Sequence, residues 1–127
     1  MSTVLETMRV MPYYHQVAVQ SEGATDIPTV ETGEERLVAS TEAIIIATRA
    51  ERLGEVEIEV RRRDDLIEVP GTRVFDGELS FTTPRLQVGS AVANHLVTID
   101  VGRIGWLPIQ IYTDSPDEPH RVIVVVP

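Results

Sequence analysis

The chain has 127 residues, a formal net charge of −9 and no cysteine. This length suits one domain with a buried core, and the missing cysteine excludes disulfides, thiolate nucleophiles and cysteine-ligated metals. Twenty acidic residues stand against eleven basic ones, all of them arginine, so the charge disfavours nucleic acid and anionic membranes and favours a basic protein partner. Neither a secretory signal nor an apolar run of about 18 residues is present, and we expect a cytoplasmic protein.

The first twelve residues follow no clear period, and we expect a flexible N-terminal arm or a short edge strand over 1–12. Residues 13–127 are predicted to form a single domain. From Tyr13 to Gln20 the side chains alternate, which predicts a strand. That strand would place His15 on its inner face, partly buried and bonded to a backbone carbonyl, which is a simpler interpretation than a catalytic histidine.

A long acidic loop is predicted at 21–35, and it ends in Glu34 and Glu35. The run Ala43–Thr48 predicts a buried strand, because three consecutive isoleucines have no polar residue on either side. We expect this strand to pair with Val56–Val60 as a hairpin.

The clearest pattern lies between Leu53 and Asp65, where apolar residues alternate with Glu55, Glu57 and Glu59. Because successive side chains of a strand point to opposite faces, one face is apolar and the other acidic. The three carboxylates would lie at intervals of about 6.8 Å, close to the phosphate spacing along a nucleic-acid strand. Such an acidic row would fit a basic nuclease cleft.

Three consecutive arginines, Arg61–Arg63, are followed by two aspartates. We expect a self-neutralising loop here and not a phosphate site. Later elements are predicted as a short strand at 66–69, a hairpin turn at Asp76-Gly77 and a crossover at 89–94. Further strands are predicted at 86–88, 95–101, 106–113 and 121–126. The strand at 106–113 should begin after Pro108 or lie at an edge, because proline has no N–H to donate. The strand at 121–126 is apolar on both faces, so we expect it to be central.

This rhythm of about eight strands, with no convincing helix, predicts an all-β fold: a two-sheet antiparallel β-sandwich. Three histidines are widely spaced and lack a His-x-His pair, so we expect no metal site from His15, His95 and His120. The loop 114–120 carries carboxylates that suit calcium, although a proline-rigidified turn explains it more simply.

Several stretches make the chain similar to a bacterial family. Tyr14-His15-Gln16 leads into an alternating strand, and the apolar run Ala43–Ala47 and the strand Gly54–Val60 follow. A strand, a glycine turn and a second strand then extend from Leu96 to Tyr112. With its length and acidity, the chain resembles the competence protein J family of small acidic inhibitors of a DNA-entry nuclease. The resemblance implies a nuclease-binding sandwich, but no inhibitory motif of the family maps onto these residues.

We therefore predict an acidic protein-binding β-sandwich that is not an enzyme and uses no cofactor. Its most concrete function would be inhibition of a bacterial nuclease by electrostatic occlusion of a basic cleft. The expected partner-binding residues are Glu55, Glu57 and Glu59, supported by Glu34 and Glu35. Two alternatives stay open: an assembly module whose last strand helps to form a homodimer, and a calcium- or metal-dependent ligand binder that uses the loop 114–120 or the histidines.

Overall fold

The computed structural model describes residues 3–127, which form two five-stranded sheets packed face to face. The strands, in chain order, are β1 (Val4–Val10), β2 (Gln16–Ser21), β3 (Leu37–Ala39), β4 (Ala43–Ala47), β5 (Val56–Arg62), β6 (Thr72–Phe81), β7 (Arg85–Ser90), β8 (His95–Asp100), β9 (Gly105–Thr113) and β10 (Arg121–Val126). The first sheet has the order β1-β5-β10-β9-β6, and the second has the order β3-β4-β2-β7-β8. The predicted two-sheet sandwich is confirmed.

One apolar core lies between the sheets and is built from alternate residues of nearly every strand. Ile58 and Val60 supply it from β5, and Ile44 and Ile46 supply it from β4. All four side chains are fully buried, as the alternating and the continuous apolar patterns predict. Among residues 3–127, the helices are two single 3-10 turns, at Tyr13–His15 and Glu51–Leu53, and no helix is long and apolar enough to cross a membrane.

All strand pairs are antiparallel except β5 and β10, which run parallel in the centre of the first sheet. Because β5 and β6 enter the sheet from the same end, the segment 63–71 crosses the outer face between them. A cavity of about 440 Å³ separates this segment from Gln110, Tyr112 and Val125. The segment lies over the outer face of β10, where Ile123 and Val125 are buried.

The last strand is central, as predicted. Its second apolar face was expected to help a homodimer to form. Val125 and Ile123 are instead 4% and 3% exposed within one chain, so that face is not available to a second copy. The specific argument for a homodimer is therefore wrong, because a crossover connection covers the strand.

The expected flexible arm is wrong for Val4–Val10, which is β1 and pairs with β5 along its length. Of the two interpretations of residues 1–12, the edge strand is the one that the structure has. Val10 belongs to the core and is 3% exposed. Met1 and Ser2 lie outside the described residues.

The predicted hairpin between Ala43–Thr48 and Val56–Val60 is wrong, because β4 and β5 belong to different sheets. The 3-10 turn Glu51–Leu53 carries the chain from one sheet to the other. The short strand predicted at 66–69 is also absent, since these residues lie in the crossover segment.

Asp76-Gly77 is not a hairpin turn but the middle of β6, where Gly77 lies opposite Ile109. A Cβ at Gly77 would lie 2.8 Å from the Phe75 ring, so glycine is needed there to make room for an aromatic side chain. The predicted crossover at 89–94 is a tight connection between the paired strands β7 and β8.

Pro108 lies inside β9, which is not an edge strand and begins before it. β10 pairs with β9 only between Gln110 and Thr113, so β9 has one neighbour at Pro108. This part of the strand is an edge locally, and a proline is tolerated there.

Candidate protein-binding surface

The expected acidic row is only partly exposed. Glu59 lies on the outer face of the first sheet, but it is only 9% exposed. Its carboxylate forms an ion pair with Arg61, and Nη2 of Arg121 lies 3.7 Å from its second oxygen. The prediction that Glu59 stands in water is therefore wrong, because the strand neighbours and their arginines cover it.

Glu57 is half-buried on the same face. In the sheet register it lies between Arg9 of β1 and Arg121 of β10. Side chains directly opposite in neighbouring strands lie about 4.5–5.5 Å apart at Cβ, so a positive residue flanks Glu57 on each side. Sequence alternation places Glu57 on the correct face, but it does not predict which charges flank it.

Glu55 precedes β5 and is exposed. Its backbone carbonyl accepts a hydrogen bond of 2.6 Å from Nη2 of Arg49. Glu55 therefore lies in the connection between the sheets, at one end of the sandwich. Of the three predicted glutamates, it is the most accessible.

Four connections meet at that end, which we call the tyrosine end: residues 11–15, 48–55, 91–94 and 114–120. Backbone hydrogen bonds join three of them, from the N–H of Thr48 to the carbonyl of His15 (2.8 Å) and from the N–H of Arg49 to the carbonyl of Pro119 (3.0 Å). The connection 91–94 joins the group through a hollow that it shares with Tyr13 and Tyr14.

Tyr13 and Tyr14 dominate the tyrosine end. Tyr14 is 75% exposed and Tyr13 is 41% exposed. Tyr14 and His15 have φ angles of 57° and 60°, the left-handed region that non-glycine residues rarely adopt. The predicted position of His15 on the inner face is therefore wrong: the 3-10 turn precedes the strand, and His15 is exposed.

Two hollows adjoin Tyr14. The first, of about 410 Å³, is lined by Tyr13, Tyr14, Glu51, Val92 and Ala93. The second, of about 530 Å³, has Ile45 and Ala47 in its wall together with charged groups of both signs. Those charged groups are Glu34, Glu35, Arg36, Arg52, Asp117 and Glu118.

Glu34 and Glu35 are brought to the tyrosine end by the loop between β2 and β3. Glu34 is exposed. Glu35 accepts hydrogen bonds from the backbone N–H groups of Glu31 (2.7 Å) and Thr32 (3.1 Å) and from the Thr32 hydroxyl. The bond from the Thr32 hydroxyl, followed by those from the backbone, lowers the pKa of Glu35 from 4.5 to about 2. Glu35 therefore holds its own loop together.

Two carboxylates of the loop 114–120, those of Asp114 and Asp117, are also engaged within the chain. Asp114 accepts hydrogen bonds from the backbone N–H groups of His120 (3.1 Å) and Arg121 (3.0 Å), and its other oxygen lies 2.8 Å from Nδ1 of His120. Asp117 pairs with Arg36 at 2.6 Å. Within residues 3–127, no group of three or more His, Asp or Glu side chains is arranged to hold a metal ion.

The arginine run is engaged in the same way. Arg61 pairs with Glu59, Arg63 pairs with Asp65 at 3.0 Å, and Arg62 donates to the carbonyl of Pro127 at 2.9 Å. The prediction of a self-neutralising loop holds for Arg63, which pairs with one of the two aspartates that follow the run. It is wrong for Arg61 and Arg62, which lie in β5 and bond to Glu59 and to Pro127.

The sequence did not lead us to predict that Tyr13 and Tyr14 lie on the surface, outside the sheet. Alternation from Tyr13 onward placed both rings in a strand. A signal was present: Pro12 directly before two tyrosines, in a chain with 5% aromatic residues. The turn that begins after Pro12 removes both rings from the sheet.

The fold is a ten-stranded, two-sheet sandwich with carboxylates and exposed aromatic rings at one end. Among solved structures, the chain is similar to the crystal structure of ComJ, inhibitor of the DNA degrading activity of NucA, from Bacillus subtilis. The TM-score is 0.73 at 18% identity, over 99% of this chain and 97% of that one. This likeness confirms the predicted resemblance at the level of the fold. No protein-family model and no curated protein sequence matches the chain.

Proposed function

We propose that this protein binds a nuclease with a basic DNA-binding cleft and inhibits it by occupying that cleft. The observation that carries the proposal is the likeness of the whole chain to an inhibitor of a DNA-degrading nuclease. The net charge of −9 supports it independently, since an acidic inhibitor is attracted to a surface that has evolved to bind phosphates.

The tyrosine end is the surface that suits this role best. It combines exposed carboxylates, among them Glu55 and Glu34, with exposed aromatic rings. Charged groups around an interface steer association, and aromatic groups near its centre provide most of the binding energy.

Glu55, Glu34 and Glu57 are the carboxylates that we assign to the partner. Glu57 contributes less than Glu55, because Arg9 and Arg121 flank it in the sheet. Glu59 and Glu35 add to the negative field of the surface while their oxygens stay bonded within the chain.

The proposal is tested by immobilising the protein and passing over it an extract of the cells in which it is naturally made. We expect DNA-degrading activity to be retained and then eluted by high salt, because the attraction is electrostatic. Added soluble protein should suppress the eluted activity on plasmid DNA. A column that retains no DNA-degrading activity contradicts the proposal.

A column carrying the Glu55→Arg variant provides the comparison, and one carrying Glu78→Arg provides the control. Glu78 is exposed on β6, where it lies opposite Pro108 and away from the tyrosine end. Both variants change the net charge equally, so a loss of retention by Glu55→Arg alone assigns the effect to the surface and not to the overall charge.

A further inference from the structure

The tyrosine end exposes a group of large apolar side chains. Four large apolar side chains are exposed on three of its connections: Tyr13, Tyr14, Leu53 and Val92. Scattered apolar residues are normal on a protein surface, but a contiguous group marks an interaction site. Contact between the 3-10 turns at 13–15 and 51–53, and the hollow shared by Tyr13, Tyr14 and Val92, bring these connections together.

The backbone keeps Tyr14 outside the sandwich. Tyr14 and His15 are two consecutive non-glycine residues in the left-handed region, which is sterically unfavourable for each of them. The turn is fixed by hydrogen bonds from the N–H of His15 to the carbonyl of Pro12 (2.9 Å) and from the N–H of Thr48 to the carbonyl of His15 (2.8 Å). The backbone at Tyr14 is therefore fixed, so binding needs to order only the torsions of the side chain itself.

The hollow beside Tyr14 is an open depression with room for a large apolar side chain. Its volume is about 410 Å³, and its wall is made by two tyrosines, Val92, Ala93 and a single charged residue, Glu51. Apolar walls with few polar groups are typical of pockets that take an apolar group.

The charged residues around the hollow indicate which residues of a partner would flank that apolar side chain. Glu51 lies at the rim of the hollow, and Glu55 follows the same 3-10 turn. Glu34 and Glu118 line the adjoining hollow beside Tyr14, where Arg36 is paired with Asp117 and Arg52 is a second cation. Carboxylates outnumber cations around the two hollows, so a partner segment that enters the first hollow meets a predominantly acidic rim.

We propose that the tyrosine end takes one large apolar side chain of its protein partner, from a segment in which arginine or lysine residues flank that side chain. Tyr13, Tyr14 and Val92 form the receiving hollow, and the surrounding glutamates contact the flanking cations. This inference rests on the proposed function, because it specifies the segment of the partner that docks.

The test uses two blocked peptides, Arg-Arg-Leu-Arg-Arg and Arg-Arg-Ser-Arg-Arg, titrated into the ¹⁵N-labelled protein. We expect the leucine peptide to shift the amide signals of residues 13–15, 51–55 and 91–94 in a saturable way. The serine peptide should bind about fivefold more weakly, because it buries no apolar side chain. Shifts spread over exposed acids elsewhere, equal affinities of the two peptides, or no saturable shifts overturn the inference.

Two variants test whether the leucine side chain of the peptide binds in this hollow. Tyr14→Asn removes the ring but keeps a residue that tolerates the left-handed conformation. Val92→Ser removes the opposite wall without touching that turn. Each should abolish the preference for leucine over serine, whereas Trp106→Ser, at an exposed aromatic of the opposite end, should leave it unchanged. An unchanged preference in both hollow variants overturns the inference. The peptide test and the nuclease capture are separate experiments, so failure of one is distinguishable from failure of the other.

Discussion

The sequence pattern places Glu59 on an exposed acidic face, but in the structure its side chain is buried and paired with arginine. Its carboxylate lies between Arg61 and Arg121, and Nε of Arg121 already has no hydrogen-bond partner among residues 3–127. Removing one partner of a buried ion pair leaves the other charge uncompensated, which costs more than the pair contributes.

We expect Glu59→Gln to lower the free energy of unfolding by about 2 kcal/mol, because two arginines lose their counter-charge in a covered site. Urea unfolding measures the change. Glu57→Gln is the matched control on the same face, and it should cost less than about 0.5 kcal/mol because Glu57 is more exposed. Equal effects of the two substitutions would show that Glu59 is not a buried, paired group.

Glu35 has a comparable role in the loop between β2 and β3. Its pKa is lowered to about 2, so ionised Glu35 stabilises the loop at every pH above its ordinary value of 4.5. That contribution declines as the pH falls below 4.5 and is gone once the pH has fallen through the lowered pKa of about 2. A carboxyl titration followed by NMR should therefore give Glu35 a midpoint well below those of the other glutamates.

Substitution of Glu35 should also loosen the loop. In Glu35→Gln, the N–H groups of Glu31 and Thr32 lose their charged acceptor, and we expect their amide hydrogens to exchange faster by about tenfold. Glu34→Gln is the control next to it and should leave these amides unchanged. Slow exchange in Glu35→Gln would contradict the assignment of Glu35 to the loop.

At the scale of elements, Gly89 shows how one residue fixes a connection. It lies in β7 opposite Leu96 with a φ of 145°, and a Cβ there would lie 2.3 Å from the carbonyl oxygen of His95. The small residues of 89–94 suggested a crossover in the sequence. They instead allow β7 and β8 to approach closely and turn tightly.

We expect Gly89→Ala to lower the free energy of unfolding by about 3 kcal/mol, since the backbone of β8 must move. Gly102→Ala is a suitable control: Gly102 also has a positive φ, of 77°, but no atom lies within 4 Å of its added Cβ. It should cost only about 1 kcal/mol. Thermal unfolding of both variants measures the difference, and similar losses would contradict the close approach of the two strands.

Local patterns predicted the strands well, because alternation and apolar runs report directly on burial. Val56–Val60, Ala43–Ala47 and Arg121–Val126 all lie in strands at the expected depth, and the predicted strand at 43–48 ends one residue early. Pairing was predicted poorly. Nothing in Arg49–Gly54 distinguishes a hairpin from a change of sheet, and nothing in 63–71 indicates a segment that crosses the outer face.

For the candidate surface, too, local pattern predicted the features within one strand but not those that depend on which strands are neighbours. The sequence predicted an acidic face on β5, and Glu57 lies there as expected. Which carboxylates stay free depends on arginines brought from β1 and β10, and this depends on strand order. The exposed turn at Tyr13–His15 interrupts an alternating pattern, so alternation assigned it to the strand that follows.

At the scale of the whole molecule, the acidic charge and the fold support the proposed function. The fold is similar to that of ComJ at 18% identity, and the tyrosine end presents carboxylates around exposed aromatic rings. A field of this sign accelerates association with a basic cleft, and salt screens the attraction over about 8 Å at physiological ionic strength.

The central claim is tested most directly by DNA degradation by the captured nuclease, measured at increasing concentrations of this protein in low and high salt. We predict that the wild-type protein and Glu78→Arg inhibit equally in low salt, that Glu55→Arg requires about tenfold more protein, and that high salt weakens all three. Equal inhibition by Glu55→Arg and Glu78→Arg, or inhibition that salt does not weaken, would contradict electrostatic occlusion by the tyrosine end.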